Sequence, residues 1–362
     1  MSSAAGTDPA AEPGRTPAVT VLPTQRGGWL VAIVALAVAI LFPFVEGGAG
    51  DEGTMSIAFF VVIYMAAVSA WNIFTGYSGY LALGHAVFFG TGAYTLALAV
   101  KDWNVPAGWT TMWLLPLCGV VAGALAIPLG LVALRTRRHV FVVVTIAFFF
   151  IFQTLATNLS FTGGTAGIQV VSPPWTYPVY NVNFYYVGLV VVVATLALSW
   201  SVRRSRFGLQ LMAIRDDEDR ARGMGVKTTR VKLAAFVISA VPVGIAGGLF
   251  ANFQNGVYPQ GAFDPLFDLA LALMGFIGGI GTLSGPLLGA LVLESLQQKF
   301  TQIFSNDGLY PIIYGALFLA VLLLLPRGIV PSVAEQIRSW RARRGGRTAE
   351  AAAGSGLPKV AR

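Results

Sequence analysis

Charged and metal-binding residues are scarce in this chain of 362 residues. Asp, Glu, Lys and Arg make up 11% of it, whereas soluble domains average about 25%. The chain has one cysteine, Cys118, in an apolar run where it is expected to be a small buried hydrophobe, and two histidines, His85 and His139. A disulfide framework is therefore excluded, and without a His/Cys cluster we predict no metal site.

Motifs of catalysis and nucleotide binding are also absent. No G-x-x-x-x-G-K-[ST] segment occurs, so the chain does not bind nucleotide through a P-loop. The apolar segments contain no paired catalytic groups. We therefore predict that the protein is not an enzyme, and that it has no catalytic residue and no cofactor of its own.

Apolar residues dominate instead, with a hydrophobic fraction of 56% and a mean hydropathy of +0.71. Because a bilayer core of about 30 Å takes about 20 helical residues, we predict an all-α polytopic membrane protein with about ten transmembrane helices. The predicted spans are residues 29–45, 55–75, a third ending near Val100, 112–134, 139–158, 184–202, 233–252, 266–280, 285–303 and 309–325. Residues 29–326 form the predicted transmembrane domain, between a disordered tail, 1–28, and a basic tail, 327–362.

The distribution of basic residues predicts which side of the membrane each loop occupies. With both termini cytoplasmic, 22 of the 24 Lys and Arg residues lie inside, and only Lys101 and Lys299 lie outside. A topology shifted by one span would put a strongly basic loop outside, against the positive-inside rule. Because the basic residues lie beside the spans, we attribute the net charge of +8 to contact with membrane lipid and do not predict nucleic-acid binding.

A polar segment, residues 203–232, separates the sixth and seventh predicted spans and holds nine of the 24 Lys and Arg residues. Burying a charge in a bilayer costs about 2.5–3.5 kcal/mol, so this segment must lie in water, on the cytoplasmic side. Leu209–Met224 lacks proline and has acids before bases, which predicts a helix that ends at Gly225, followed by a second amphipathic stretch along the membrane surface. A loop held by lipid head groups is the alternative to a docking platform for a cytoplasmic partner.

Two glycine-rich blocks, Gly76–Tyr94 and Gly278–Ala290, lie one in each half of the chain. Such pairs occur both in plain helix packing and in broken helices around a substrate site. Polar residues in or beside the spans are candidates for lining this pathway, or for hydrogen bonds between helices: Asn72, Ser78, His85, Gln153 and Asn158. Glu294 is the only carboxylate expected well inside a span, in a structural rather than a substrate-binding role.

Four stretches together resemble the permease family of bacterial ABC importers for branched-chain amino acids, over about residues 55–330. The most informative runs from Arg215 to Phe250, where eight residues match and Asp219 and Arg220 depart from the family pattern; the matches are Arg215, Asp216, Glu218, Gly225, Lys232, Phe236, Ser239 and Ala240. The other stretches are the two glycine blocks and Thr162–Ile168, in which Ala166 replaces a common Asn.

The resemblance implies a type II-like permease subunit in a prokaryotic plasma (inner) membrane, carrying branched-chain amino acids or related small polar solutes. Its implied partners are cytoplasmic ATPase subunits that use the ATP, a homologous permease subunit and an extracytoplasmic solute-binding protein. The resemblance adds Phe88 and Thr165 to the pathway candidates. It implies ATPase coupling for six residues: Arg215, Asp216, Glu218, Arg222, Gly225 and Lys232.

A secondary transporter driven by an ion gradient is the alternative. Such a protein needs ionisable residues at the membrane midplane, and this sequence offers little beyond Glu294 and His85.

Overall fold

The computed structural model describes residues 26–44, 52–136, 138–177, 179–304 and 315–316. The chain divides into two compact units, residues 1–42 and 43–362. The first contains α1, Arg26–Leu41. The second contains the other helices: α2 Glu52–Ser78, α3 His85–Asp102, α4 Trp109–Met112, α5 Leu115–Ala133, α6 Arg138–Asn158, α7 Val179–Arg204, α8 Arg206–Asp216, α9 Glu218–Gly223, α10 Thr228–Phe253, α11 Pro259–Ala262, α12 Pro265–Gly278 and α13 Gly285–Phe304.

Helices lie where the first nine spans are predicted. Six helical segments among the described residues are long and apolar enough to cross a membrane: Gly53–Ser78, Trp109–Ala133, Arg138–Asn158, Val179–Arg204, Thr228–Phe253 and Pro259–Gly278. The tenth predicted span lies outside the described residues apart from residues 315–316, and so does the predicted basic tail 327–362. Of the predicted N-terminal tail, residues 1–25 lie outside them as well.

The second unit has inner and outer helices. α10 packs against α2, α3 and α5, and α2 also packs against α7 and α13. In the most apolar part of α2, 78% of residues are buried, against 22% in α6. α2 and α10 therefore form the centre of this unit, while α6 presents most of its apolar surface outward, as a lipid-facing helix does.

α3 is not among the six apolar segments, although its 18 residues coincide with the end of the third predicted span. Its side chains are buried along nearly the whole helix. Because α3 is enclosed by other helices, its surroundings are protein side chains, and it tolerates His, Thr and Gly where a lipid-facing helix would not.

Glycines bring the backbones of α3 and α10 into direct contact. A Cβ atom at Gly92 would lie 1.9 Å from the carbonyl oxygen of Gly244, and one at Gly247 would lie 1.9 Å from that of Phe89. At both positions the obstacle is backbone, which has no rotamer to move aside. This is the close packing of small residues that membrane helices use.

Both glycine blocks contain an interruption between two helices. Residues 79–84, the first break, separate α2 from α3, and residues 279–284, the second break, separate α12 from α13. The sequence left open whether each block forms one continuous helix or a broken one. The structure shows that each block starts in one helix, passes through non-helical backbone and ends in the next helix.

A short antiparallel pair of strands joins two loops of the second unit. β1, Ile168–Gln169, pairs with β2, Gly256–Val257, with Ile168 opposite Val257. These loops follow the fifth and seventh predicted spans, and the charge distribution predicts that both are external. The two strands add only four residues to a helical architecture.

We predict that Gly92→Ala destabilises the protein, because its Cβ meets backbone of α10. Overpacking of this kind costs about 1–3 kcal/mol, seen as a lower melting temperature in detergent. Gly261→Ala in α11 is the control, since a Cβ there meets no atom within 4 Å. Equal melting temperatures for the two variants would contradict the close contact of α3 and α10.

Candidate functional site

The first break is held by side chains that satisfy its backbone. Trp71 donates from Nε1 to the Ala82 carbonyl oxygen at 2.8 Å, and Thr75 accepts from the Ala82 N–H at 3.3 Å. Thr145 of α6 accepts from the Leu83 N–H at 3.2 Å. Non-helical backbone in apolar surroundings needs such partners, so the break is a fixed structure rather than a loose loop.

Asp268 of α12 caps the N-terminus of α3. Its carboxylate accepts from the backbone N–H groups of His85 at 2.9 Å and Ala86 at 3.2 Å, and the residue is buried. Asp268 lies in the first turn of α12 and is a second buried carboxylate in addition to Glu294, which the sequence did not single out. The available signal was an Asp three residues after Pro265 in an apolar run, but its partner lies 183 positions away.

Asn72 joins α2 to the second break. Its Oδ1 accepts from the Gly281 N–H at 2.8 Å, and its Nδ2 donates to the Thr282 carbonyl oxygen at 2.9 Å. The side chain is buried. Asn72 was considered either as a pathway-lining residue or as a hydrogen-bonding residue between helices. The structure shows the hydrogen bonds, which use both the oxygen and the nitrogen of its side-chain amide.

Three other pathway candidates cluster at the first break. The hydroxyl of Ser78 accepts from the Tyr80 N–H at 3.3 Å. His85 Nε2 lies 3.0 Å from the Ser239 hydroxyl on α10, and its ring meets Phe88 edge-on, with centroids 5.5 Å apart. His85 thus makes a hydrogen bond between α3 and α10, which is the alternative considered to lining the pathway.

Gln153 and Thr165 lie apart from this cluster. Gln153 donates from Nε2 to the Phe263 carbonyl oxygen at 2.9 Å. Thr165 is exposed and lines a cavity of about 160 Å³ with Thr157, Tyr258, Pro259 and Gln260. The structure therefore does not gather the pathway candidates into one site, and a role in solute passage stays a prediction for each.

Glu294 is fully buried in α13, where one carboxylate oxygen accepts from Gln298 at 2.7 Å. Asn158 is exposed and donates to the Thr154 carbonyl oxygen one turn earlier in α6. Both contacts lie within one helix. The contact of Glu294 agrees with the structural role expected for it, whereas the bond of Asn158 lies within α6 and is not the interhelical bond considered for that residue.

The polar segment folds as a hairpin of two short helices, α8 and α9, which we call the α8–α9 hairpin. The helix predicted over Leu209–Met224 is divided at Asp217, whose backbone is extended (φ −157°, ψ 110°). Its carboxylate accepts from the N–H groups of Asp219 and Arg220, both at 3.0 Å, because Asp favours N-cap positions over helix interiors. The predicted stop at Gly225 is confirmed by its φ of +87°. The predicted second surface stretch was wrong, since α10 begins at Thr228.

Glu218 anchors the hairpin to the membrane domain. Its Oε1 lies 2.7 Å from Lys232 Nζ, and the Tyr80 hydroxyl donates to its Oε2. Lys232 also donates to the Tyr80 oxygen at 3.0 Å, and its side chain is only 2% exposed. Partial burial acts to raise the pKa of Glu218, but the hydrogen bonds from Lys232 and Tyr80 outweigh it and hold the pKa below the ordinary carboxyl value. Glu218 is therefore charged at neutral pH.

Two arginines extend this attachment. Arg222 lies 3.3 Å from Glu218 Oε1 at the exposed edge of the cluster. Arg138, at the start of α6, donates to the carbonyl oxygens of Ile214 at 2.8 Å and Arg215 at 3.0 Å. It thereby satisfies the end of α8, where helical carbonyls lack partners of their own. Sequence reasoning missed Arg138 and Tyr80, which lie far from the hairpin along the chain.

The remaining coupling candidates divide between inward and outward positions. Arg215 donates from Nη1 to the Gly76 carbonyl oxygen of α2 at 2.7 Å. Asp216 and Gly225 are exposed, as are Asp219 and Arg220, which depart from the family pattern. Coupling to an ATPase stays a prediction for all six residues, but the structure shows that Arg215, Glu218 and Lys232 bind within the chain.

We predict that Glu218→Gln costs about 3 kcal/mol of stability, because it leaves the Lys232 ammonium buried without its carboxylate. Asp217→Asn, the neighbouring change, keeps an N-cap and removes only the exposed pair with Arg220, worth below about 1 kcal/mol. Thermal unfolding in detergent compares the two. Adding Lys232→Met to Glu218→Gln is expected to restore part of the loss, and equal effects of the two neutralisations would contradict the buried pair.

Known permease proteins resemble this chain over most of its length or over part of it. The high-affinity branched-chain amino acid transport system permease protein LivM of Escherichia coli (strain K12) is 30% identical over 351 residues, covering 89% of this chain and 79% of LivM. LivH, another permease protein named for the same transport system, is 30% identical over 142 residues, covering 39% of this chain and 45% of LivH. The autoinducer 2 import system permease protein LsrC of Photorhabdus luminescens is 28% identical over 146 residues, which are 39% of this chain and 44% of LsrC.

No solved structure matches the chain. A family model described as "Branched-chain amino acid transport system / permease component" matches residues 53–325, which include both glycine breaks and the α8–α9 hairpin. The chain therefore belongs to the family of branched-chain amino acid transport system permease components.

Proposed function

We propose that this multi-pass membrane protein is a transmembrane permease subunit of an ABC importer. In this proposal it moves branched-chain amino acids or related small polar solutes across a prokaryotic plasma membrane. The observation that carries the proposal is the α8–α9 hairpin, which is anchored by Arg138, Glu218 and Arg215 while its other face is exposed. A polar hairpin fixed to the ends of membrane helices suits a protein driven by a cytoplasmic partner.

The proposed topology has ten spans with both termini cytoplasmic. This topology is supported by contacts between segments that are predicted to lie on the same side of the membrane. The hairpin contacts Arg138 and the first break, all predicted cytoplasmic, and Asn72 joins the second break to the same helix end. On the other side, β1 pairs with β2 between loops that are both predicted external.

The energy source in this proposal is a separate ATPase that docks on the exposed face of the hairpin. That face combines charged and apolar groups, namely Asp216, Asp219, Arg220, Gly223 and Met224. Met224 is 73% exposed, and a Cβ at Gly223 would meet no atom within 4 Å, so neither is used in packing within the chain. An exposed apolar side chain within a charged surface fits a protein partner better than a lipid head group.

The proposed partners and solute follow the relatives. LivM and LivH are both permease proteins named for branched-chain amino acid transport, and both resemble this chain. This supports pairing with a homologous permease and a solute of the same class, delivered by an extracytoplasmic binding protein. LsrC, named for autoinducer 2 import, makes other small polar solutes the second candidate class.

A transporter driven by an ion gradient is less well supported. The buried Asp268 holds two backbone N–H groups of α3, and the buried His85 is bonded to Ser239. Ionisable groups engaged in this way serve the fold, whereas a proton relay needs them free to exchange protons.

The test of the proposed function is transport by the reconstituted complex. The chain, a homologous permease, candidate ATPases and a binding protein are placed in proteoliposomes, and uptake of radiolabelled leucine is measured together with ATP hydrolysis. We expect uptake only with ATP, and hydrolysis stimulated by the loaded binding protein. Uptake without nucleotide that follows a proton or sodium gradient would overturn the proposal.

We predict that Met224→Glu weakens co-purification of the ATPase about tenfold or more, as loss of a central interface contact does. The melting temperature of the chain should not change, because Met224 packs against little. Val171→Glu is the matched control: Val171 is 65% exposed on the predicted external side and should leave co-purification unchanged. Equal retention of the ATPase by both variants would remove this face of the hairpin as the docking surface.

A further inference from the structure

Arg215 links the end of α8 to the end of α2. Arg215 is exposed, but its guanidinium donates from Nη1 to the Gly76 carbonyl oxygen at 2.7 Å. Gly76 lies in the last turn of α2, just before the first break. The charge of Arg215 is therefore directed at a helix C-terminus, where carbonyl groups lack partners and a cation is favourable.

The same side chain lies between both glycine breaks. A Cβ at Gly79, in the first break, would be 2.9 Å from Arg215 Cγ, and one at Gly281, in the second break, would be 2.3 Å from Nη1. Both glycines have positive φ, +72° and +79°. Their missing side chains leave the volume that Arg215 occupies, and their backbone conformations are ones that other residues rarely adopt.

The neighbours of Arg215 form a continuous set of contacts. Arg138 donates a hydrogen bond to the carbonyl oxygen of Arg215 and so fixes the backbone from which the Arg215 side chain extends. Asn72, one turn before Gly76, holds the N–H of Gly281 at 2.8 Å. One side chain on the hairpin thus touches two breaks that are more than 200 residues apart in sequence and joined to each other by Asn72.

We propose that Arg215 is a positioning residue that transmits displacement of the α8–α9 hairpin to the two breaks, and through them to the starts of α3 and α13. This inference rests on the proposed function, and it names the residue that links docking to the membrane helices. Arg215 does not bind the partner in this scheme, since its guanidinium faces the breaks. A shift of α8 moves the Arg215 side chain against glycine backbone in both breaks, and a glycine has no side chain to move aside.

The test compares three variants in the reconstituted complex. Arg215→Ala removes the connection. Arg215→Lys keeps the charge and a donor for Gly76 but lacks the planar fork that lies against Gly281. Arg206→Ala is the control, because Arg206 begins the same helix α8, is exposed and lies outside the proposed docking face. ATPase co-purification, ligand-stimulated and basal hydrolysis, leucine uptake and melting temperature are measured for each.

We expect Arg215→Ala to retain the ATPase, while stimulation of hydrolysis by the loaded binding protein falls to the basal rate and uptake is lost. Arg215→Lys should recover part of the stimulation, and Arg206→Ala should keep all of it. Full stimulation in Arg215→Ala, or loss of the ATPase from that variant, would overturn the inference. If Arg215→Ala does not fold, Arg215→Lys decides: stimulation equal to that of the unmodified chain overturns the inference, and reduced stimulation at an unchanged melting temperature supports it.

A measurement on the chain alone separates this inference from the proposed function. Hydrogen exchange of peptides covering residues 79–84 and 279–284 should be about tenfold or more faster in Arg215→Ala, because a charge-assisted hydrogen bond is lost. Arg206→Ala should leave both peptides unchanged. If both breaks respond but no complex hydrolyses ATP, the proposed function fails and the connection stands; if neither responds in a coupled complex, only the inference fails.

Discussion

Helices that end within apolar surroundings leave backbone groups that must find partners in the protein, and this requirement organises the structure. At the first break the partners come from α2, α6 and α12, through Trp71, Thr145 and Asp268. At the second break they come from α2, through Asn72. Each break is thereby tied to helices distant in sequence. The glycine blocks supply space for these approaches, and the polar side chains determine which approach is made.

The α8–α9 hairpin shares this dependence. Arg138 donates hydrogen bonds to the carbonyl groups at the C-terminal end of α8. The buried charge pair of Glu218 and Lys232 links α9 to α10. A hairpin attached only by lipid contacts would move independently of the spans. Attached through backbone and buried charge, it moves with them, which is the mechanical property that a permease driven from outside the membrane requires. The same attachment explains why three of the proposed coupling residues, Arg215, Glu218 and Lys232, bind within the chain.

The sequence predicted what depends on local composition, and it missed what depends on distant partners. The apolar runs located the helices, and Gly225 located the end of α9, because hydropathy and left-handed glycine act locally. Asp217 looked like one acid in a helical run, yet its side chain reaches two N–H groups ahead and divides the helix. Asp268 and Tyr80 acquire their roles only from α3 and from Glu218, which no local pattern encodes. Asn72 was recognised as a polar group needing a partner, but that partner lies 209 residues away.

The volume shared by Arg215 and Gly281 has a consequence for how such a chain diverges. A side chain at position 281 would occupy the space of the guanidinium, and a shorter residue at 215 would leave that space and the Gly76 carbonyl oxygen unfilled. A substitution at either position is therefore unfavourable as long as the other residue is unchanged. Related proteins in which one of these residues is replaced are therefore expected to have a replacement at the other, so positions 215 and 281 should coevolve.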